Sequence, residues 1–186
     1  ACRIMSLGYF GKLPDRGDFV SRGVTPELEG AVHRFGSALI AGGQDRYKEQ
    51  FSDVFAQMRL YALLAAERVI TNEAVVGLFG PSTDAVGRLF PLFVVKEGPS
   101  RSEEKGADAF TSIAKIVDDA AFEKTPLEEF EQRLASTDLF MNEGAKGLVL
   151  SQWSTSGPLT KRFQFACLGD ACSEAWQILP HIQGGT

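Results

Sequence analysis

The sequence contains few of the residues on which metal and redox sites are usually built. Its 186 residues include three cysteines and two histidines, with no CxxC pair and no HExxH motif. The spacing between Cys167 and Cys172 fits neither a redox pair nor a zinc site. We therefore expect Cys2, Cys167 and Cys172 to be buried free thiols, and we predict that the chain needs no metal ion or other cofactor.

Long apolar runs and clusters of basic residues are also missing. No apolar run approaches the roughly 18–20 residues that a membrane-spanning helix requires, and residues 1–10 do not have the pattern of a secretory signal. The 19 Lys and Arg residues are scattered among 24 Asp and Glu residues, for a net charge of −5. We expect a cytoplasmic protein that neither inserts into a membrane nor binds nucleic acid.

Periodic apolar residues predict several amphipathic helices. Thr25 followed by Pro26 is a typical helix start, and apolar residues then recur every three or four positions as far as Gly42 and Gly43, where the helix is expected to end. Further helices are predicted at residues 47–55, at 110–117, from a capping box at Thr125, and from Asp170 to 179.

Short apolar runs bounded by polar or glycine-rich segments predict strands. The runs at 58–65, 74–79 and 88–95 are expected to lie in one sheet because their connections are short. Residues 146–153 and 162–168 are predicted to form a hairpin. Since strands follow strands more often than they alternate with helices, the predicted fold class is α+β, a mainly antiparallel sheet of about five to six strands packed with helices.

We expect residues 1–186 to form a single domain. The polar and charged stretch at 96–108 is predicted to be a solvated loop between a motif-bearing part, residues 8–95, and a second half with helices and a hairpin, residues 107–182. In this second half the acidic residues Glu128, Glu129, Glu131 and Asp138 are expected to form a solvated helix face.

Residues 8–20, GYFGKLPDRGDFV, combine glycines, charges and large apolar side chains in one short stretch. A phosphate-binding loop is disfavoured, because Ser6 and Leu13 stand where a glycine and a magnesium-binding hydroxyl are required. Residues 16–18 spell an adhesion tripeptide, but nothing else in the sequence points outside the cell. Residues 80–84, GPSTD, lack the second glycine of a nucleophile elbow, which disfavours a hydrolase.

Two long segments instead resemble the two motifs of the TagF N-terminal domain, a family associated with type VI secretion. Residues 8–23, GYFGKLPDRGDFVSRG, match the pattern G-x-F-G-K-L-P-x-R-G-D-F from Gly8 to Phe19. Residues 77–95, GLFGPSTDAVGRLFPLFVV, match G-x-x-x-P-S-x-D-x-V-G-R-x-F-P from Gly77 to Pro91. The resemblance covers residues 8–95, and the second half carries no motif of similar specificity.

The resemblance implies a cytoplasmic accessory protein of the bacterial type VI secretion system. Members of the family are negative regulators that act after translation by protein–protein binding, and they are not known as enzymes. The implied partners are type VI secretion components, in some bacteria a forkhead-associated scaffold protein, and some members are linked with a PP2C-type phosphatase. The alternative is a cryptic enzyme or small-ligand-binding domain, which a deep pocket with convergent polar groups would favour.

Charged residues of the two motifs are the candidate functional residues, namely Lys12, Arg16, Asp18, Asp84 and Arg88. They either link the two loops through charge-assisted hydrogen bonds or contact a partner directly, and both interpretations stay open. We predict that loop 11–18 docks on loop 80–88, with Arg16 paired to Asp84 and Asp18 paired to Arg88. No catalytic or metal-binding residue is assigned.

Overall fold

The computed structural model describes residues 7–98, 107–139 and 146–181. Its strands are β1 (Gly8–Gly11), β2 (Val20–Arg22), β3 (Leu60–Ala65), β4 (Ala74–Gly80), β5 (Leu92–Gly98), β6 (Leu148–Ser154) and β7 (Gly157–Phe165). Its α-helices are α1 (Pro26–Tyr47), α2 (Phe51–Ala56), α3 (Ala107–Phe122), α4 (Leu127–Ala135) and α5 (Leu168–Ser173), with short 3-10 helices at Lys48–Gln50 and Ala175–Ile178.

The strands form one antiparallel sheet in the order β2-β1-β5-β4-β3-β6-β7. The α+β class is confirmed, and so is the prediction that the three central runs share a sheet, since β3, β4 and β5 are neighbours. Among the described residues the sheet has seven strands rather than five to six. The difference arises because the opening motif forms two strands of four and three residues, too short to show an alternating pattern.

Helices cover both faces of the sheet. Phe79 and Phe93 lie opposite each other in β4 and β5 and pack in the core with α1, α2 and α5. The adjacent residues Leu78 and Val94 pack in a second core with α3 and α4. Because successive side chains of a strand point to opposite faces, burial of both faces explains why these strands are continuously apolar.

Helix α1 begins as predicted but does not end at Gly42 and Gly43. The Thr25 hydroxyl accepts a hydrogen bond from the amide of Leu28, and the helix continues to Tyr47. A Cβ atom on Gly43 would lie 2.3 Å from the Phe51 ring. Gly43 therefore lets α1 pack closely against α2, and the predicted role as a helix terminator is wrong.

The second half confirms the hairpin and corrects several boundaries. Strands β6 and β7 pair in antiparallel fashion around a turn at residues 155–156. Helix α5 begins at Leu168, with Cys167 rather than Asp170 at the N-cap. Of the predicted loop at 96–108, the first three residues belong to β5, the last two belong to α3, and residues 99–106 lie outside the described residues.

The cysteines differ from the expectation of buried thiols. Cys167 is exposed and Cys172 is half-buried, and both are free. Burial raises the pKa of the Cys172 thiol. The remaining cysteine, Cys2, lies outside the described residues.

Close packing of α1 against the second motif predicts a sharp difference between two helical glycines. A Cβ on Gly36 would lie 2.4 Å from the ring of the buried Phe90. We predict that Gly36→Ala lowers the free energy of unfolding by about 1–3 kcal/mol through overpacking, although alanine favours helices. Denaturant titration measures the loss.

Gly30→Ala in the same helix is the matched control. The nearest atom to a Cβ on Gly30 is 3.7 Å away, in the Arg34 guanidinium. This substitution should be neutral or stabilising, because it adds helix propensity without a clash. Equal losses in the two variants would contradict the packing argument.

Candidate functional site

The second motif folds into a tight turn around the carboxylate of Asp84. A β-bridge joins Thr83 to Leu89 at the base of the turn, and Gly87 adopts φ = +87°, which favours glycine. The Asp84 Oδ1 atom accepts hydrogen bonds from the amides of Val86 at 3.1 Å and Arg88 at 2.9 Å. The carboxylate therefore organises the backbone of its own loop.

Two cations meet the other oxygen of the same carboxylate. The Lys12 Nζ lies 3.1 Å and the Arg88 Nε 2.6 Å from Asp84 Oδ2. The exposed fractions of the side chains are 9% for Lys12, 0% for Asp84 and 61% for Arg88. Lys12 and Asp84 thus form a buried ion pair between the two motifs, and Arg88 covers it from the solvent side.

The hydrogen bonds around Asp84 control its protonation. Burial by itself would raise the pKa of this carboxyl group. Hydrogen bonds from the Arg88 backbone and side chain, from Lys12 and from the Val86 amide outweigh burial and hold the pKa well below its usual range. Asp84 is therefore charged at neutral pH, and its charge is compensated within the junction.

Three further hydrogen bonds join the two loops. The Ser82 hydroxyl donates to the Lys12 carbonyl at 2.8 Å, and the Ala85 amide donates to the Arg16 carbonyl at 2.8 Å. The Arg88 Nη2 donates to the Gly17 carbonyl at 2.6 Å. The predicted docking of loop 11–18 on loop 80–88 is confirmed.

The predicted pairing within the junction is wrong. Arg88 pairs with Asp84 of its own turn, because the turn brings residues four positions apart into contact. Arg16 pairs instead with Asp15 and with Glu128 of α4, at 3.3 Å and 2.7 Å. The exposed Asp18 accepts a hydrogen bond from the amide of its neighbour Phe19 at 2.8 Å.

The first motif also holds the start of α4. The Leu127 amide, at the first position of the helix, donates to Asp15 Oδ2 at 3.1 Å. An acidic group is favourable there because the helix dipole is positive at its N-terminus. The capping box predicted at Thr125 is not formed, since Pro126 occupies the N-cap and makes no side-chain cap.

Two of the acidic residues expected on a solvated face, Glu131 and Asp138, contact other parts of the chain instead. Glu131 accepts hydrogen bonds from the Tyr9 hydroxyl and from Arg22 Nη1, the latter at 2.9 Å. Burial and this carboxylate raise the pKa of Tyr9. Beyond the helix, Asp138 pairs with Lys96 at 2.6 Å. The expectation of a solvated face is therefore wrong for Glu131 and Asp138, which are half-buried. It holds for Glu129 and for Glu128, whose side chain is 71% exposed even though it pairs with Arg16.

Phe19 is an exposed ring held by its neighbours. It is 40% exposed, yet its centroid lies 5.3 Å from Phe10, 5.6 Å from His33 and 4.9 Å from Phe90. The Lys12 Nζ lies 5.1 Å from the same centroid. The contacts restrain a large apolar side chain that still faces solvent.

Val86 lies at the tip of the second motif and is 73% exposed. Together with Asp18, Phe19 and Arg88 it forms what we call the motif surface. Sequence reasoning did not select Phe19 or Val86, since charge was the criterion for a candidate. The available signal was that both are large apolar residues inside loop motifs rather than inside helices or strands.

Two grooves lie near the motifs. One, of about 380 Å³, lies between Phe19 and α1. The other, of about 590 Å³, lies between β1 and α4, and its Tyr9 and Arg22 side chains both donate to Glu131. It has the size that a small-ligand site requires, but these three polar groups bond to one another.

The described residues contain no group of three His, Cys, Asp or Glu side chains that could hold a metal ion. No helix among them is long and apolar enough to span a membrane.

The fold and the junction together define an α+β domain whose two motif loops are locked around one buried carboxylate. The family model of the TagF N-terminal domain, which is described as type VI secretion system-associated, matches residues 8–137 of the sequence. The chain belongs to this family. The match confirms the resemblance and extends it beyond residue 95 to include α3 and α4.

A solved structure shares the fold. The crystal structure of PA0076 from Pseudomonas aeruginosa PAO1 is similar with a TM-score of 0.75 at 21% sequence identity. The similarity covers 97% of this chain and 100% of that chain. No curated protein matches the sequence.

The low pKa of Asp84 predicts a specific dependence of stability on pH. A carboxyl group whose pKa is lower in the folded state contributes stability above its unfolded pKa of about 4 and loses it as pH falls through the folded value. We predict that Asp84→Asn lowers the melting temperature at pH 7. The stability of the variant should also fall less steeply than that of the parent below about pH 4. Thermal denaturation from neutral to acidic pH measures both effects.

Asp45→Asn is the control for this experiment, because Asp45 forms an exposed pair with Lys48. Its stability should follow that of the parent at every pH. If the melting temperatures of the parent and of Asp84→Asn fall in parallel as the pH is lowered, Asp84 is not the group that causes the loss of stability in acid.

The contact between Asp15 and α4 predicts a capping effect across the fold. We expect Asp15→Ala to lower the free energy of unfolding by about 0.5–2 kcal/mol, because the first amide of α4 loses its acceptor. Denaturant titration measures this loss. The control is Asp45→Ala, at an exposed position, which should change the free energy of unfolding by less than about 0.5 kcal/mol. If Asp15→Ala also loses less than about 0.5 kcal/mol, Asp15 does not cap α4.

Proposed function

We propose that this protein is a non-enzymatic accessory protein of the type VI secretion system that acts in the cytoplasm as a post-translational negative regulator. Family membership supplies the association with type VI secretion. The regulatory role, the absence of enzymatic activity and the compartment are part of the proposal. It acts by binding other proteins, and the motif surface is the proposed contact.

The observation that carries this proposal is the restrained exposure of Phe19. Aromatic side chains at the centre of an interface contribute much of the binding energy. A ring that is already held in place loses little conformational entropy when a partner covers it. Phe10, His33 and Phe90 hold the Phe19 ring in this way before any partner binds.

The charges around Phe19 also suit protein binding better than catalysis. Lys12 and Asp84 pair with each other inside the junction. Asp18 and Arg88 lie at its exposed side, where charges contribute to specificity and to the rate of association. The proposed partners are type VI secretion components, including a forkhead-associated scaffold protein.

Substitutions on the motif surface test the proposal. We predict that Phe19→Ala and Val86→Asp reduce the capture of type VI secretion components from the native bacterium, identified by mass spectrometry, and relieve repression of secretion. Val86→Asp should leave the melting temperature close to that of the parent, because Val86 is largely exposed.

Matched controls come from exposed apolar residues elsewhere. Phe122 at the end of α3 is 54% exposed, and Leu159 in β7 is 38% exposed. Phe122→Ala and Leu159→Asp should bind and repress like the parent. The motif surface is not the interface if Phe19→Ala and Val86→Asp bind as the parent does, or if the controls lose as much binding.

A further inference from the structure

The groove beside Phe19 has a distinct chemistry. Its lining residues are Phe10, Phe19, Pro26, Glu29, Gly30 and His33. Those from α1 are Pro26, the adjacent pair Glu29 and Gly30, and His33, which recur every three or four positions and so lie on one side of the helix. Gly30 leaves this side open, because it has no side chain to fill the groove.

Aromatic rings and a carboxylate meet in this groove. Phe10, Phe19 and His33 supply rings whose centroids lie 5.3–5.8 Å from one another. Glu29 supplies the carboxylate, and its Oε2 accepts a hydrogen bond from the Ser21 hydroxyl at 2.5 Å. This bond ties the carboxylate to β2, next to the Phe19 loop.

We infer that the groove receives a lysine or arginine side chain of the partner that binds the motif surface. Aromatic faces attract cations, and a carboxylate beside them adds a charge-assisted hydrogen bond. The aliphatic part of either side chain would pack against the rings of Phe10 and Phe19. The inference rests on the proposed function and adds the chemistry of the residue that the partner inserts.

The charges around the groove favour a basic occupant. Glu29 is the charged residue that lines the groove, and the exposed Asp18 immediately precedes Phe19. Two cations compete. Lys12 Nζ lies 5.1 Å from the Phe19 ring but is already paired with Asp84 in the junction. The Arg34 guanidinium lies near Gly30. An acidic occupant would pair with Arg34 instead. A basic occupant therefore predicts weaker binding when Glu29 is substituted, and an acidic occupant predicts weaker binding when Arg34 is substituted.

A small probe tests the groove without the partner. N-acetyl-arginine amide should cause saturable shifts in the amide NMR signals of Gly30 and His33. N-acetyl-citrulline amide, which has nearly the same shape without the charge, should not. Glu29→Gln should abolish the shifts, while its amide oxygen can still accept the bond from Ser21. An absence of saturable shifts with the arginine probe overturns the inference.

Gly30→Ala separates binding from folding. The added methyl group enters the groove, so binding of the captured partner should weaken at least tenfold. The melting temperature should stay equal or rise by about 2–4 °C, since alanine favours the helix by about 1 kcal/mol. A variant that is as stable as the parent but binds less tightly excludes a purely structural role for this position.

Affinities for the captured partner complete the test. Glu29→Gln should weaken binding at least tenfold, and Arg34→Gln should leave it unchanged. Parent-like binding by Glu29→Gln, or weaker binding by Arg34→Gln, overturns the inference of a basic occupant. If Val86→Asp still abolishes binding in that case, the proposed function stands; if Val86→Asp binds normally, the proposed function fails separately.

Discussion

The fully buried carboxylate of Asp84 is the constraint on which the arrangement of the two motifs depends. A buried charge is costly unless it is paired and hydrogen-bonded. Lys12, Arg88 and two backbone amides of its own turn meet this requirement for Asp84. The loops are therefore ordered, although they lie outside regular helices and strands.

The same junction connects the sheet to the helices on both of its faces. On one side, Phe19 and Phe90 pack against His33 of α1. On the other side, Asp15 and Arg16 hold the first turn of α4. The docked loop pair thus orients the exposed ring of Phe19, which carries the proposed function, and the groove beside α1 that is proposed to receive a basic side chain of the partner.

The sequence predicted the α+β class because helix and strand periodicities are local patterns. It predicted the meeting of the two loops for a different reason, because each motif carries turn residues together with charges of both signs. Predictions for individual residues were wrong where tertiary contacts decide the outcome. Gly43 allows α1 to pack closely against Phe51 and Leu179 rather than ending the helix, and Glu131 accepts a hydrogen bond from Tyr9 of β1. The tight turn places Arg88 against Asp84, so the arginine partner of Asp84 is Arg88 rather than Arg16, and its cation from the first motif is Lys12.

Hydrogen exchange at the Ala85 amide tests the central role of Asp84 most directly. This amide donates to the Arg16 carbonyl across the junction, whereas the amides that donate to the Asp84 carboxylate are those of Val86 and Arg88. If Asp84 locks the loops, Asp84→Asn should expose the Ala85 amide to fast exchange, while amides of β4 and β5 stay protected. Unchanged protection of Ala85 in the folded variant would show that the loops dock without the buried carboxylate, and would contradict the account.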